Sequence, residues 1–238
     1  MRQEEFDKRE KLFFCNPTYS GNEYYKLHRK YYPDEEPPAY SPLYRLRREL
    51  RSLYNLKKWL SAMLIPSIIV EGLVRYIYNP HPEKDMKQFI ERFVRENFSL
   101  SGIEVLLTRL YRNAQEHNFS FLLTRVHKNI KRDKQAFRKI TYYLNHNLNI
   151  KKTEGIKFYK IHFPLSTEFS EIVHFDENIT IYNEYILINV LINPKKYIER
   201  VEEAIKNFRI KLRQSPTLRR RFLSSITRDN WMRVYYPW

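Results

Sequence analysis

The residues with the clearest chemical potential are arginines and lysines that alternate with aromatic side chains. From Arg209 to Trp238 the chain carries eight Lys or Arg residues and a single acid, Asp229. Cationic groups pair with phosphates and planar rings stack on exposed bases, so this mixture is typical of RNA contacts. The alternative is a solvated run of charge whose aromatic residues fold back on a core. The basic residues predicted to contact RNA in this segment are Arg213, Arg219, Arg220, Arg221, Arg228 and Arg233.

A second candidate contact is the pair Lys195 and Lys196, which follows Asn193 and Pro194. Asn is a favoured N-cap and Pro a favoured first helical residue, so a helix is predicted to begin here. Positive side chains at a helix start interact unfavourably with the helix dipole, by roughly 0.3–1 kcal/mol each. A phosphate bound to the free N–H groups would make the interaction of these lysines with the helix start favourable. Two lysines pointing into water remain the alternative. If phosphate binds, replacing both with alanine should weaken RNA binding and leave the fold stable.

The charge of the whole chain agrees with these local patterns. Its 238 residues carry a net charge of +16, and its sequence pI is about 9.7. Basic domains of this kind usually contact nucleic acid or an anionic membrane surface. A third group of predicted RNA contacts, Arg45, Arg48 and Arg51, lies in a stretch whose leucine spacing predicts a helix.

Candidate catalytic and metal-binding groups are sparse. The chain has 4 glycines and no Gly-rich phosphate loop, and its 7 histidines form no metal-binding pair. Its one cysteine, Cys15, excludes an internal disulfide and a cysteine-based zinc site. We therefore predict no enzyme activity, no cofactor and no metal. Four acids cluster in the connection between the predicted strands 156–165 and 179–193, namely Glu168, Glu171, Asp176 and Glu177. This cluster is more typical of a solvated loop than of a metal site. If the protein were a nucleic-acid enzyme, its activity would have to depend on these acids.

Composition divides the chain into four segments. Residues 1–42 are rich in tyrosine and proline and are predicted to form an extended arm that packs on RNA or a neighbouring protein. Residues 43–117 show amphipathic spacing and are predicted to be a helical extension. Within it, Pro66 and charged residues interrupt residues 59–78, which favours a buried helix over a stable membrane span. Residues 214–238 form a basic, aromatic tail without a reliable period.

The remaining segment, residues 118–213, predicts an α+β domain. Its elements follow the order β-α-β-β-α-β, which is the ferredoxin-like split arrangement. The predicted fold class is therefore a ferredoxin-like domain preceded by a helical N-terminal extension. The third strand is apolar on both faces near its end, which predicts a central position in the sheet. The predicted elements are strand 118–126, helix 133–148, strands 156–165 and 179–193, a helix from Pro194, and strand 209–213.

The layout of Phe119 to Arg213 resembles ribosomal protein six of the small ribosomal subunit. FSFLLTRV stands at the first strand of that family, and GIKFYKIHFPLS, with His162-Phe163-Pro164-Leu165, at the second. EYILINVLINPKKYIERVEEAIKNF, with Ile188-Asn189-Val190, is similar to the third strand and second helix, and RIKLR falls at the last strand. The resemblance implies a structural, non-catalytic protein that binds rRNA beside ribosomal protein eighteen.

The long extensions on both sides of this domain are common in mitochondrial ribosomal proteins. We therefore predict an rRNA-binding structural protein of a mitochondrial small ribosomal subunit. It would be located in the matrix, on the ribosome, with rRNA and neighbouring ribosomal proteins as its partners. Two alternatives stay open. One is an accessory subunit of a mitochondrial membrane respiratory assembly, with residues 59–78 against lipid. The other is an RNA-binding component of a different ribonucleoprotein.

Overall fold

A computed structural model describes residues 3–34, 40–78, 92–100, 124–127, 158–176, 180–182 and 185–229. The chain divides into two compact units, one made of residues 1–93 and 201–238 and the other of residues 94–200. The helices are α1 (Gln3–Phe13), α2 (Gly21–Tyr31), α3 (Pro42–Asn55), α4 (Trp59–Tyr78), α5 (residues 92–98), α6 (Pro194–Gln214) and α7 (Pro216–Asp229). The strands are β1 (Thr124–His127), β2 (Phe158–His162), β3 (Val173–Phe175), β4 (Thr180–Tyr182) and β5 (Tyr185–Ile192).

The N-terminal segment contains two helices, so the prediction of an extended arm is wrong for the residues that the structure describes there. The start of α2 is fixed by a capping box between Ser20 and Glu23. The Ser20 hydroxyl accepts the Glu23 N–H at 3.2 Å, and the Glu23 carboxylate accepts the Ser20 N–H at 2.6 Å. This S-x-x-E spacing is a helix-start signal that the composition of the segment obscured. The buried face of α2 carries Tyr24 and His28, one turn apart.

Ser41 joins the first three helices at one buried point. Its hydroxyl donates to the Phe13 carbonyl at 3.0 Å and accepts the Tyr44 N–H at 3.4 Å, which caps α3. Its own N–H donates to the Tyr24 hydroxyl at 3.1 Å. Because Ser41 is fully buried and all of these groups are paired, the start of α3 is held firmly against α1 and α2.

The core of the first unit is rich in phenylalanine. Phe222 of α7 lies edge-on to Phe13 at 5.0 Å and to Phe6 at 6.5 Å between ring centroids. Phe14 stacks on Phe222 at 5.9 Å and lies 6.0 Å from Phe208 of α6. Aromatic pairs in this geometry add about 0.5–1.5 kcal/mol each to the effect of burial. The N-terminal helix is therefore an integral part of this unit.

The described strands of the second unit form one sheet around β5. On one side β5 pairs in parallel with β2, and on the other it pairs antiparallel with β3 and β4. β1 pairs antiparallel with β2 at the edge of the described sheet. The strand predicted at 179–193 is instead two strands, β4 and β5, which pair antiparallel with each other. The predicted central position is confirmed for β5, the apolar part of that segment, because it has paired strands on both sides.

The ferredoxin-like prediction is wrong. That fold needs a four-stranded antiparallel sheet whose last strand follows the second helix, and RIKLR (209–213) instead lies within α6. The antiparallel pairing of the second and third strands that this fold requires is also missing, because β2 and β5 run parallel. Far more of the described residues are helical than extended. The physical reason is that Ile205, Phe208 and Leu212 continue the apolar helical face without a break, whereas RIKLR alternates only over five residues.

Other predicted elements have mixed outcomes. Residues 59–78 are helical as predicted, with one buried face, and no helix within the described ranges is long and apolar enough to cross a membrane. The tail was predicted to lack periodic structure, but α7 covers much of it. The predicted helix at 133–148 and most of the predicted strand at 118–126 lie outside the described residues.

Candidate nucleic-acid interface

Five cations line the exposed side of α3 and the turn that follows it. We call this surface the basic face; its members are Arg45, Arg48, Arg51, Lys57 and Lys58, and all of them are exposed. The three arginines recur every third residue, so successive side chains are surface neighbours with Cβ atoms about 5–6 Å apart. The exposed acid Glu49 is the only carboxylate in this stretch of α3 and its turn. The basic face therefore has a strong positive field.

The opposite side of α3 explains why these cations point outward. Leu43, Tyr44 and Leu50 are buried and hold that side against the core. Arg47 is also buried, and its guanidinium forms an ion pair with Glu202 at 2.5 Å and donates to the Cys15 carbonyl at 3.3 Å. One arginine of α3 is thus used for internal packing, and the others are presented to solvent.

The turn after α3 places Lys57 in an unusual backbone conformation. Its φ is 54°, in the left-handed region that glycine normally occupies at a helix end. The Lys57 N–H donates to the Tyr54 carbonyl at 3.0 Å, and the Lys58 N–H donates to the Leu53 carbonyl at 2.9 Å. These bonds close the end of the helix. A lysine therefore stands where glycine would suit the backbone better.

We expect Lys57→Gly to raise the free energy of unfolding by up to about 1 kcal/mol, because glycine removes the steric cost of the left-handed conformation. The same change should weaken RNA binding, because it removes one cation from the basic face. Denaturant unfolding and RNA titration of the same protein check both effects. Ser99→Gly is the matched control, because Ser99 has a φ of 52° and is not part of the basic face. Weaker RNA binding of Lys57→Gly with unchanged or lower stability would contradict this backbone argument.

An exposed aromatic ring lies beside the basic face. Tyr40 is 39% exposed, and its ring centroid is 5.7 Å from that of Tyr44. The Arg48 guanidinium lies over the other ring of this pair, 5.9 Å from the Tyr44 centroid. A ring held next to cations can stack on an unpaired base while the cations neutralise neighbouring phosphates. Sequence reasoning missed Tyr40 as a neighbour of Arg48, because their shared contact with Tyr44 depends on the Ser41 cap at the start of α3.

The predicted C-terminal contacts divide into internal and exposed groups. Arg213 binds the buried carboxylate of Glu10 at 2.9 Å. Arg219 donates to the Gln3 side chain and lies 5.7 Å from the Phe6 ring centroid. These two arginines help to hold α1 on the C-terminal helices. By contrast, Arg220 and Arg221 are exposed and could contact RNA. The Arg228 side chain and Arg233 lie outside the part of the chain that the structure describes.

Lys195 and Lys196 lie at the start of α6 as predicted, and both are exposed. Asn193 caps this helix: its side-chain oxygen accepts the Lys196 N–H at 3.1 Å, and its amide nitrogen donates to the Phe169 carbonyl at 2.6 Å. The Lys196 ammonium lies 3.6 Å from Glu199. The cap already satisfies one of the N–H groups that a phosphate would use, so phosphate binding here stays a prediction.

The residues considered for chemistry do not converge on a metal or nucleophile site within the described ranges. No group of three or more His, Cys, Asp or Glu side chains there could hold a metal ion. Glu168 and Glu171 are exposed, whereas Asp176 accepts a hydrogen bond from Asn189 at 3.2 Å. Burial raises the pKa of the Cys15 thiol to about 11, so it is protonated at neutral pH.

Comparison with known proteins adds no relative. No family model, no curated protein and no solved structure matches the chain.

Proposed function

We propose that the protein is a non-catalytic component of a ribonucleoprotein and binds RNA through the basic face. The supporting observation is the row of Arg45, Arg48 and Arg51, exposed on one side of a helix whose other side is buried, with Tyr40 beside it. The net charge of +16 supplies the long-range attraction to a polyanion. Phosphate contacts of this kind give affinity with little dependence on base sequence.

The setting that we propose is the small ribosomal subunit of a mitochondrion, with rRNA and ribosomal proteins as partners. Its support is the basic, aromatic composition and the large size of the chain. The layout that resembled ribosomal protein six depended on a strand at 209–213, and those residues are helical. The proposal therefore rests on charge and exposed arginines, without assignment to that family or to a neighbour such as ribosomal protein eighteen.

Sedimentation of organelle lysate in a sucrose gradient, with and without ribonuclease, tests this function. The protein is expected to travel with a large particle and to move to the top of the gradient after ribonuclease treatment. Co-sedimentation that survives ribonuclease but is lost in detergent would contradict the proposal and would support a respiratory assembly in a membrane. The observation behind that second candidate is a row of exposed apolar residues on α4, next to Lys57 and Lys58.

A further inference from the structure

One side of α4 is apolar where it faces solvent. We call this surface the leucine stripe; it consists of Leu60, Leu64 and Ile68, which are 40%, 41% and 49% exposed. They follow one another at intervals of four residues and therefore lie on one face of the helix. Leu56, which is 62% exposed, extends this apolar surface into the turn before α4. The buried residues of α4, such as Ala62, Met63 and Ile69, already supply its contact with the core.

A row of exposed leucines next to a folded core indicates an interaction surface. Single exposed apolar residues are common, but contiguous patches usually mark a site of association. Small residues lie beside the stripe, namely Ser61, Ser67 and Gly72. A Cβ atom added at Gly72 would meet no atom within 4 Å. Small side chains along a helix permit another helix to approach closely between the ridges.

The charges at the two ends of the stripe are opposite. Lys57 and Lys58 lie in the turn at its N-terminal end, and Glu71 lies three residues beyond Ile68 at its other end. The stripe is also symmetric about Leu64, because Leu60 and Ile68 each lie four residues away from it. When a second copy of this helix is laid against it in the reverse direction, each positively charged end meets a negatively charged end. The apolar residues of the two copies then also meet in register about Leu64.

We propose that the leucine stripe is the dimer interface of the protein, formed by two copies of α4 packed antiparallel about a two-fold axis at Leu64. In this arrangement Leu60 of each copy meets Ile68 of the other, and each lysine-bearing end approaches Glu71 of the other copy. A carboxylate has about four acceptor positions, so this ion pair does not require Glu71 to give up its other contacts. Antiparallel helices also align their dipoles favourably.

The interface forms without RNA and goes beyond the proposed RNA-binding function, although Lys57 and Lys58 belong to both surfaces. A second copy fits better than an anionic lipid surface, because Glu71 lies on the same arc of α4 as the leucines and would face the lipid charge. The contact is formed by one helix from each copy and is small, so we expect a dimer that dissociates on dilution.

Analytical ultracentrifugation of the full chain, after ribonuclease treatment, tests the proposal over a micromolar concentration series. The wild type is expected to shift from monomer to dimer. Leu64→Glu should weaken the dimer by at least about tenfold, because it places two like charges on the two-fold axis. Circular dichroism confirms that this exposed substitution leaves the helices intact.

Cysteine cross-linking fixes the orientation without relying on a disruptive variant. Leu64→Cys should form a disulfide-linked dimer, because the two sulfur atoms meet on the axis. Leu60→Cys should not, because the two residues lie about 12 Å apart along the antiparallel pair. The wild type, whose one cysteine is the buried Cys15, gives the background level of cross-linking with which both variants are compared.

Three outcomes would overturn the proposal. The first is a wild type that stays monomeric over the whole concentration series. The second is equal cross-linking of Leu60→Cys and Leu64→Cys, which would indicate a parallel pair. The third is a monomer that binds vesicles of phosphatidylcholine with one-fifth anionic lipid and loses that binding in Leu64→Glu, which would assign the stripe to a lipid surface. Dimer formation in a protein that fails to bind RNA would leave this proposal standing and remove only the proposed function.

Discussion

Replacing Arg209 and Arg213 together with methionine is expected to lower the free energy of unfolding by about 3 kcal/mol at neutral pH. Both arginines bind the carboxylate of Glu10, which is completely buried. Without them a charged group would remain in the interior with no compensation. The arginine side chains are themselves 33% and 49% exposed, so solvent screening places the effect at the lower end of the range for buried pairs.

The triple variant that also carries Glu10→Leu is the matched control. It removes the buried charge together with its partners, and an apolar replacement of a buried ionic cluster is often neutral or stabilising. We therefore expect it to recover most of the lost stability in denaturant unfolding. If the triple variant is no more stable than the double variant, the loss reflects the packing of the arginine stems and the electrostatic explanation fails.

The same cluster predicts how stability depends on pH. Burial alone would raise the pKa of the Glu10 carboxyl, but hydrogen bonds and charges from Arg209 and Arg213 lower it below its ordinary value of 4.5. The stabilisation from Glu10 is therefore present above about pH 4.5 and is lost as the pH falls through the lowered pKa. In the double variant burial acts alone and the pKa rises, so its deficit in stability should shrink as the pH falls toward 4. A deficit that is constant with pH would contradict this account.

A local signal in the sequence predicted where α6 begins. Asn193 and Pro194 start a helix, and their positions as cap and first residue are visible in the sequence. The same signal, Ser215 followed by Pro216, marks the start of α7, where the Leu218 N–H is 3.3 Å from the Ser215 hydroxyl. This signal was missed, and the tail was given no period, although the buried residues Phe222 and Ile226 keep helical spacing.

Contacts between distant parts of the chain could not be predicted from the sequence. Glu10 and Arg213 are far apart in sequence, and nothing in either segment indicates that they meet. Arg213 and Arg219 were therefore predicted to contact RNA, whereas both of them contact α1. Strand direction depends on distant contacts in the same way, which is why the parallel pairing of β2 with β5 was missed.

Replacing Arg45, Arg48 and Arg51 with alanine is expected to lower RNA affinity on the order of 10²-fold at physiological salt. Each arginine that neutralises a phosphate displaces counterions, so the slope of log affinity against log salt should fall by about 2 for single-stranded RNA. Stability should change by less than about 1 kcal/mol, because the side chains are exposed and alanine favours helix. Filter binding or fluorescence anisotropy at several salt concentrations measures both quantities.

Two controls separate the position of the charge from its total amount. Replacing Lys26, Lys30 and Lys206 with alanine removes the same net charge from exposed positions outside the basic face. This variant should retain most of the affinity, because phosphate contacts act over a few ångströms and distant charges are screened within about 8 Å at physiological ionic strength. Equal losses in the two variants would show that RNA responds only to net charge, and the basic face would then not be the binding site.

The second control keeps the charge and changes its shape. Lysine at positions 45, 48 and 51 retains a cation for each phosphate but cannot form the two-pronged contact of a guanidinium. We expect the salt slope to stay at the wild-type value while affinity falls by less than in the alanine variant. This outcome would follow from phosphate binding, because counterion release depends on charge alone. If alanine lowers the affinity but leaves the salt slope unchanged, these arginines instead hold the RNA by stacking or base contacts.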